Sequence, residues 1–255
     1  MSTSITSGRF VWHELVTPEP KAALGFYGEL LGWTSAEMDM GPAGSYTILK
    51  SNGVDVGGAL VTPKGSNVPP SWLAYCSTDD VDAAAAKATK LGGKVMMPAT
   101  DIPKVGRFAV VLDAQGAALA PFKPSEQRPE TNDKPADGTF CWDELLTSDP
   151  KAALAFYRDV YGWTSEDKDM GPMGTYHMLK RGDRQAAGIM KTQMPGQPSA
   201  WLSYVAVSDV DESAKRAERL KGKVIVPGRD IPGIGRFAVL ADREGAVFAV
   251  FKGSM

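Results

Sequence analysis

Residues 9–33 read RFVWHELVTPEPKAALGFYGELLGW, and residues 139–163 read TFCWDELLTSDPKAALAFYRDVYGW. The same phrase stands twice, 130 residues apart. Other phrases keep that spacing to within one residue. DMGP at Asp39 returns at Asp169, and DIP…GRFAV at Asp101 returns at Asp230. All six tryptophans fall into pairs: Trp12 with Trp142, Trp33 with Trp163, and Trp72 with Trp201. A period this long exceeds any solenoid unit and marks a duplicated domain. The copies then test each other. A residue kept in both serves the shared fold or a shared site, and a residue in only one belongs to something that copy does alone.

The phrase also sets local structure. In residues 9–16, Phe10, Trp12, Glu14 and Val16 share one face while Val11, His13 and Leu15 share the other, the alternation of a strand. Thr17-Pro18-Glu19-Pro20 opens a helix, and Ser148-Asp149-Pro150 is a cleaner form of the same signal. Ala23, Phe26, Tyr27 and Leu30 make one apolar stripe, and Gly32 ends the helix. Strands are expected at 34–38, 46–50, 54–61 and 71–77. An Ala-rich helix runs from Asp79-Asp80 to Leu91, and strands follow at 94–97, 107–113 and 117–123. Each copy is therefore strand, helix, three strands, twice over. The expected class is α+β: two tandem modules, each of two βαβββ units forming a curved mixed sheet around a cavity with helices outside. The modules fall at 8–124 and 138–253, and a polar, Pro-rich linker occupies 125–137.

Composition narrows the function classes. The formal charge is −2 over 255 residues, with no Lys/Arg run, so nucleic acid is not an expected partner. No apolar stretch approaches the length of a membrane span, and MSTSITSGRF has neither the basic nor the apolar region of a secretory signal. Cys76 and Cys141 align with Val205 and Val11, which suggests packed thiols and a reduced, cytoplasmic setting. There is no P-loop, dinucleotide fingerprint, CxxC, GxSxG or HExxH. A tandem chain already supplies a twofold pairing, so a monomer is plausible beside a homodimer.

Four βαβββ units in two modules resemble the vicinal oxygen chelate superfamily of glyoxalases, bleomycin-resistance proteins and extradiol dioxygenases. AALGFYGELLGW and AALAFYRDVYGW resemble its first-helix signature, and DVDAAAAKATKLGGKV…DIPKVGRFAVVLDAQGAALAPFKP resembles its second unit. The details WHEL/WDEL, DMGPxGxY and DIPxxGRFAV look most like tandem glyoxalase-like proteins of the actinobacterial antigen and hydroxylase-like type. The resemblance implies a divalent metal, held by His, Gln or Glu on the first strand of a unit and Glu on the last, acting as a Lewis acid. This chain departs from that pattern. Counting from Tyr27 and Tyr157, the first-strand ligand column falls on Trp12 and Trp142. Counting from Asp113 and Asp242, the Glu column falls on Ala120 and Ala249. No metal or other cofactor is therefore expected, and a divalent metal held by non-standard ligands is the alternative.

What the copies keep instead points to a small-molecule ligand. Glu14 beside Trp12, and Glu144 beside Trp142, are carboxylates on strand faces, where burial demands a partner or a proton. Their candidate partners are Arg107 and Arg236. The plainer reading is a structural ion pair, either Glu with Arg or Asp101/Asp230 with Arg pinning the DIP loop. The functional reading makes Glu14 and Glu144 acceptors or general bases, with His177, present in copy two alone, as a proton-transfer group. Trp12, Tyr46, Trp72, Tyr75 and Arg107, with their counterparts Trp142, Tyr176, Trp201, Tyr204 and Arg236, are the candidate ligand-binding residues, with core packing as the competing role for the aromatics. His13 reads as a polar residue near a strand end, unless a one-residue slip turns His13 and Asp143 into the cavity. The expected function is binding of a small organic ligand in a Trp/Tyr/Glu cavity. The alternative is a metal-dependent lyase of glyoxalase type, or a dioxygenase or hydroxylase.

Overall fold

The computed structural model describes residues 7–40, 44–62, 65, 67–126 and 134–254. Most of the linker, residues 127–133, lies outside the described residues. In copy one the elements are β1 (Phe10–Thr17), α1 (Pro20–Leu31), β2 (Thr34–Asp39), β3 (Ser45–Ser51), β4 (Val54–Val61), β5 (Ser71–Ser77), α2 (Val81–Lys90), β6 (Lys94–Ile102), β7 (Gly106–Leu112) and β8 (Ala118–Pro124). Copy two repeats them as β9 (Phe140–Thr147), α3 (Pro150–Tyr161), β10 (Thr164–Asp169), β11 (Thr175–Arg181), β12 (Arg184–Lys191), β13 (Ala200–Ala206), α4 (Val210–Arg219), β14 (Lys223–Ile231), β15 (Gly235–Ala241) and β16 (Val247–Gly253). These are four βαβββ units and two eight-stranded mixed sheets. The hydrogen-bonded order is β2-β3-β4-β1-β5-β8-β7-β6 in the first sheet, and the second sheet repeats it. Among the described residues no helix is long and apolar enough to cross a membrane.

Local chemistry explains the elements. Pro20 and Pro150 open α1 and α3, and Gly32 and Gly162 close them in the left-handed conformation with φ 73°. Asp149 caps α3 by accepting from Ala152 N at 3.1 Å, whereas Glu19 makes no side-chain cap on α1. The sequence predicts a strand ending at Met97, yet β6 runs on to Ile102 past Pro98. β6 is the edge of its sheet, where a missing N–H breaks no ladder, and two register shifts against β7 absorb the irregularity.

The sheets follow the two copies, but the compact packing units cut across them. One unit joins 1–11 and 74–132 of copy one to 143–201 of copy two. The other joins 12–73 to 133–142 and 202–255. The cause is where the helices bury their apolar stripes. In the second unit Phe26 and Tyr27 of α1 pack on Phe248 of β16, at ring separations of 6.3 and 5.3 Å. Their core also takes in Leu15, Leu49, Ala217, Leu240 and Val250. Trp72 Nε1 donates to Tyr27 Oη at 2.9 Å, and Tyr27 Oη donates to Asp242 Oδ2 at 3.1 Å. Asp242 Oδ1 accepts backbone N–H groups of Glu244, Gly245 and Ala246. In the first unit Trp201 Nε1 donates to Tyr157 Oη at 2.9 Å, which donates to Asp113 Oδ2 at 3.0 Å. Burial, above all, holds both aspartates above the usual carboxylate range and pushes both phenols up.

Two outcomes follow. Residues 1–126 produced alone will sediment as a dimer or as an unfolded chain, because the face of α1 finds its cover in copy two; a folded monomer would contradict the interleaved packing. Tyr27→Phe and Tyr157→Phe will each lower the urea-unfolding free energy by about 1–3 kcal/mol at unchanged m, since each leaves a buried indole N–H and a carboxylate oxygen without its partner.

Candidate functional site

The first βαβββ unit of copy one builds its site by strand alternation. Leu15 is fully buried against α1, together with Leu49 of β3 and Ala59 of β4. Trp12 and Glu14 consequently lie on the opposite, helix-free face of β1. Glu14 stands opposite Gly58 in the parallel β1–β4 register. Tyr46 of β3 reaches across the same face. Its hydroxyl accepts the Trp12 indole N–H at 2.9 Å and rests on Gly58, where a Cβ would come within 1.8 Å of Oη. Only glycine leaves room for that hydroxyl. Glu14 is 4% exposed. Burial, reinforced by the Glu14 charge, pushes the Tyr46 phenol well up, against the opposing Trp12 hydrogen bond.

Copy two repeats the arrangement. Glu144 stands opposite Gly188 in the β9–β12 register, and a Cβ on Gly188 would come within 1.9 Å of Tyr176 Oη. A Tyr hydroxyl seated on a glycine, across from a glutamate, is thus kept in both copies. The glycines were not singled out by the sequence reading. Their signal is a glycine in a strand interior, at 58 and again at 188, a mark of close backbone or side-chain approach.

The last-strand columns are aromatic and apolar. Tyr75 of β5 is in register with Ala120 of β8, and its ring lies 5.8 Å from both Phe108 and Phe122. Tyr204 of β13 is in register with Ala249 of β16 and lies 6.2 Å from Phe237. Ala120 and Ala249 are fully buried and carry no ligating atom.

The remaining candidates sit elsewhere. Trp72 and Trp201 are core residues, tied to Tyr27 and Tyr157 as described. His177 shares the helix-facing side of β11 with Leu179, and its Nδ1 meets Asp167 Oδ1 at 2.6 Å. It therefore points away from Tyr176. In copy one, Thr47 makes the matching bond, donating to Glu37 Oε1 at 2.9 Å. His13 shares the buried side of β1 with Leu15 and stacks on Phe140 at 3.8 Å, so no register slip turns it to the helix-free face. Arg107 pairs with Asp82 through Nε and Nη2 and with Asp101 through Nη1, all within 2.9 Å. Arg236 pairs likewise with Asp211 and Asp230, all within 3.0 Å. Each arginine holds its helix aspartate below the usual carboxylate range. The arginines pin the ends of β6 and β14, where the DIP residues lie, to α2 and α4; the pairing with Asp101 and Asp230 is the plainer of the two sequence readings, with Asp82 and Asp211 as unforeseen second partners.

The donor set does not fit the superfamily's metal. Tryptophan and alanine stand at the implied ligand positions, and neither offers a ligating atom. Among the described residues no group of three or more His, Cys, Asp or Glu side chains converges. Cys76 is buried, with its thiol pushed up by burial, and the Cys141 thiol contacts Tyr204 O at 3.4 Å.

Known proteins share this architecture. Residues 9–120 match the glyoxalase/bleomycin resistance protein/dioxygenase superfamily, and residues 139–251 match a glyoxalase-like domain. CFP32 of Mycobacterium bovis, provisionally named a glyoxylase, is 40% identical over 244 residues, covering 94% of this chain and 93% of that protein. The anthracycline biosynthesis protein DnrV of Streptomyces peucetius is 32% identical over 265 residues, covering 98% of this chain and 95% of DnrV. In fold, the chain is similar to the Mn(II)-bound glyoxalase from Novosphingobium aromaticivorans, with a TM-score of 0.63 at 17% identity over 97% of this chain and 82% of that one. It is similar also to 2,2',3-trihydroxybiphenyl 1,2-dioxygenase from Sphingomonas wittichii, with a TM-score of 0.65 at 11% identity over 97% of this chain and 91% of that one. Duplicated βαβββ units, matched phrase by phrase between the copies, make this chain a tandem member of the glyoxalase/bleomycin resistance protein/dioxygenase superfamily.

Proposed function

We propose that the chain is a cytoplasmic protein, monomeric or homodimeric, that binds a small, planar organic molecule on its helix-free Trp/Tyr/Glu faces without a divalent metal. The observation that carries this reading is the pairing of loss with retention. At the implied metal positions stand Trp12, Trp142, Ala120 and Ala249. On the strand faces that carry Trp12 and Trp142 both copies keep Glu14/Glu144, Tyr46/Tyr176 and the glycines beneath the tyrosines. Aromatic walls with a few polar anchors suit a flat, largely apolar ligand. The name of DnrV places that protein in anthracycline biosynthesis. Carried over to this chain, that favours a polycyclic aromatic ligand.

A competing reading, a metal-dependent lyase or dioxygenase, draws on the glyoxylase name of CFP32 and the fold shared with a Mn(II)-bound glyoxalase. It needs ligands outside the matched positions. Of the side chains it would recruit, Glu14 and Glu144 lie on the helix-free faces, whereas His13 and His177 are turned toward the helices.

Titration of the full chain with planar aromatic ketones and phenols, followed by tryptophan fluorescence in EDTA, tests the proposal. Saturable quenching that EDTA leaves unchanged, and that Trp12→Phe/Trp142→Phe largely abolishes, is expected. Binding that appears only after a divalent metal is added would overturn it.

A further inference from the structure

The Tyr46 hydroxyl has one proton and two acceptor positions, and the Trp12 indole N–H is a donor only. Since Trp12 Nε1 donates to Tyr46 Oη at 2.9 Å, the phenol proton points away from Trp12. Oη sits on Gly58, so no side chain at that position covers it, and Glu14 occupies the register opposite that glycine. In copy two Gly188 seats the Tyr176 hydroxyl in the same way, with Glu144 in the register opposite that glycine. Burial and the Glu14 charge keep the Tyr46 phenol protonated, a fixed donor and not a phenolate. A glutamate on the same face accepts a proton donor and repels a second negative charge. A hydroxyl, which both donates and accepts, is complementary to the phenol donor and the carboxylate together; a second carboxylate is not.

We infer that Tyr46 and Tyr176 donate a hydrogen bond to a neutral aromatic hydroxyl of the ligand, that Glu14 and Glu144 select against anionic ligands, and that Gly58 and Gly188 are positioning residues that seat the tyrosine hydroxyls. This inference rests on the small-ligand reading above and deepens it. It names the ligand's anchoring group and the side chains that choose it.

The test is isothermal titration of the full chain, in EDTA at neutral pH, with 2-naphthol and with 2-naphthoate, two probes alike in shape and unlike in charge. Wild type is expected to prefer 2-naphthol. Tyr46→Phe/Tyr176→Phe should weaken 2-naphthol by about three- to tenfold, the worth of one hydrogen bond, and leave 2-naphthoate unchanged. Gly58→Ala/Gly188→Ala should reproduce that selective loss, because the new methyl displaces the hydroxyl. Glu14→Gln/Glu144→Gln should strengthen 2-naphthoate. A purely structural role would weaken both probes alike. Equal binding of the two probes to wild type, or a Tyr→Phe variant that leaves their ratio unchanged, overturns the inference while the small-ligand reading stands. No binding of either probe to wild type overturns both.

Discussion

A buried chain of hydrogen bonds, Trp72 to Tyr27 to Asp242, fixes the position on which the rest of its packing unit depends. Each member would be costly to bury alone. An unpartnered phenol or indole N–H loses its hydration for nothing, and an unpaired carboxylate loses far more. Linked in series, and anchored by three backbone N–H groups in the turn before β16, they are satisfied without water. The chain ties α1 of copy one to the last hairpin of copy two. Since α1 directly follows β1, it also sets the strand that presents Trp12 and Glu14. Trp201, Tyr157 and Asp113 do the same for α3 and β9. Duplication here means more than repetition, because each helix of one copy completes the core begun by the other.

The duplication also shows what each sheet face tolerates. Several positions that change polar identity between copies lie on the helix-facing side: His13 against Asp143, Thr47 against His177 and Cys76 against Val205. There the requirement is volume and a satisfied polar atom, and His177–Asp167 and Thr47–Glu37 meet it with different groups. On the helix-free side both copies keep Trp, Glu, Tyr and the glycine under the tyrosine, while the residue in register with the tyrosine changes from Met38 to Lys168. Those four matched residues, on faces with no packing demand from a helix, are the ones the small-ligand proposal uses.

Much of this was legible in the sequence. Period-two alternation in residues 9–16 placed Trp12 and Glu14 on one face, and the 3.6-residue stripe of Ala23, Phe26, Tyr27 and Leu30 gave α1 its buried side. The missing ligand columns could be counted from Tyr27 and Asp113. Long-range pairing could not be read, because partners such as Tyr27 and Asp242 are 215 residues apart and no local pattern links them. The same limit made Trp72 and Trp201 look like ligand-binding residues: an amphipathic ring suits a pocket and a core equally, and only the tyrosine opposite decides. Arg107 was legible as a clamp on the DIP loop but not as a partner of Asp82, which sits on a helix outside that loop's own hairpin. The overrun of β6 past Pro98 was hidden because edge position is a property of the sheet and not of the strand.

The central claim is that these faces have exchanged metal ligands for an aromatic, hydrogen-bonding surface. Elemental mass spectrometry of untagged protein, purified without chelator and then incubated with Mn, Fe, Ni and Zn salts before desalting, tests it most directly. The account predicts metal far below one equivalent per chain in every case. Retention of one metal ion per copy, lost on replacing Glu14 and Glu144, would contradict it.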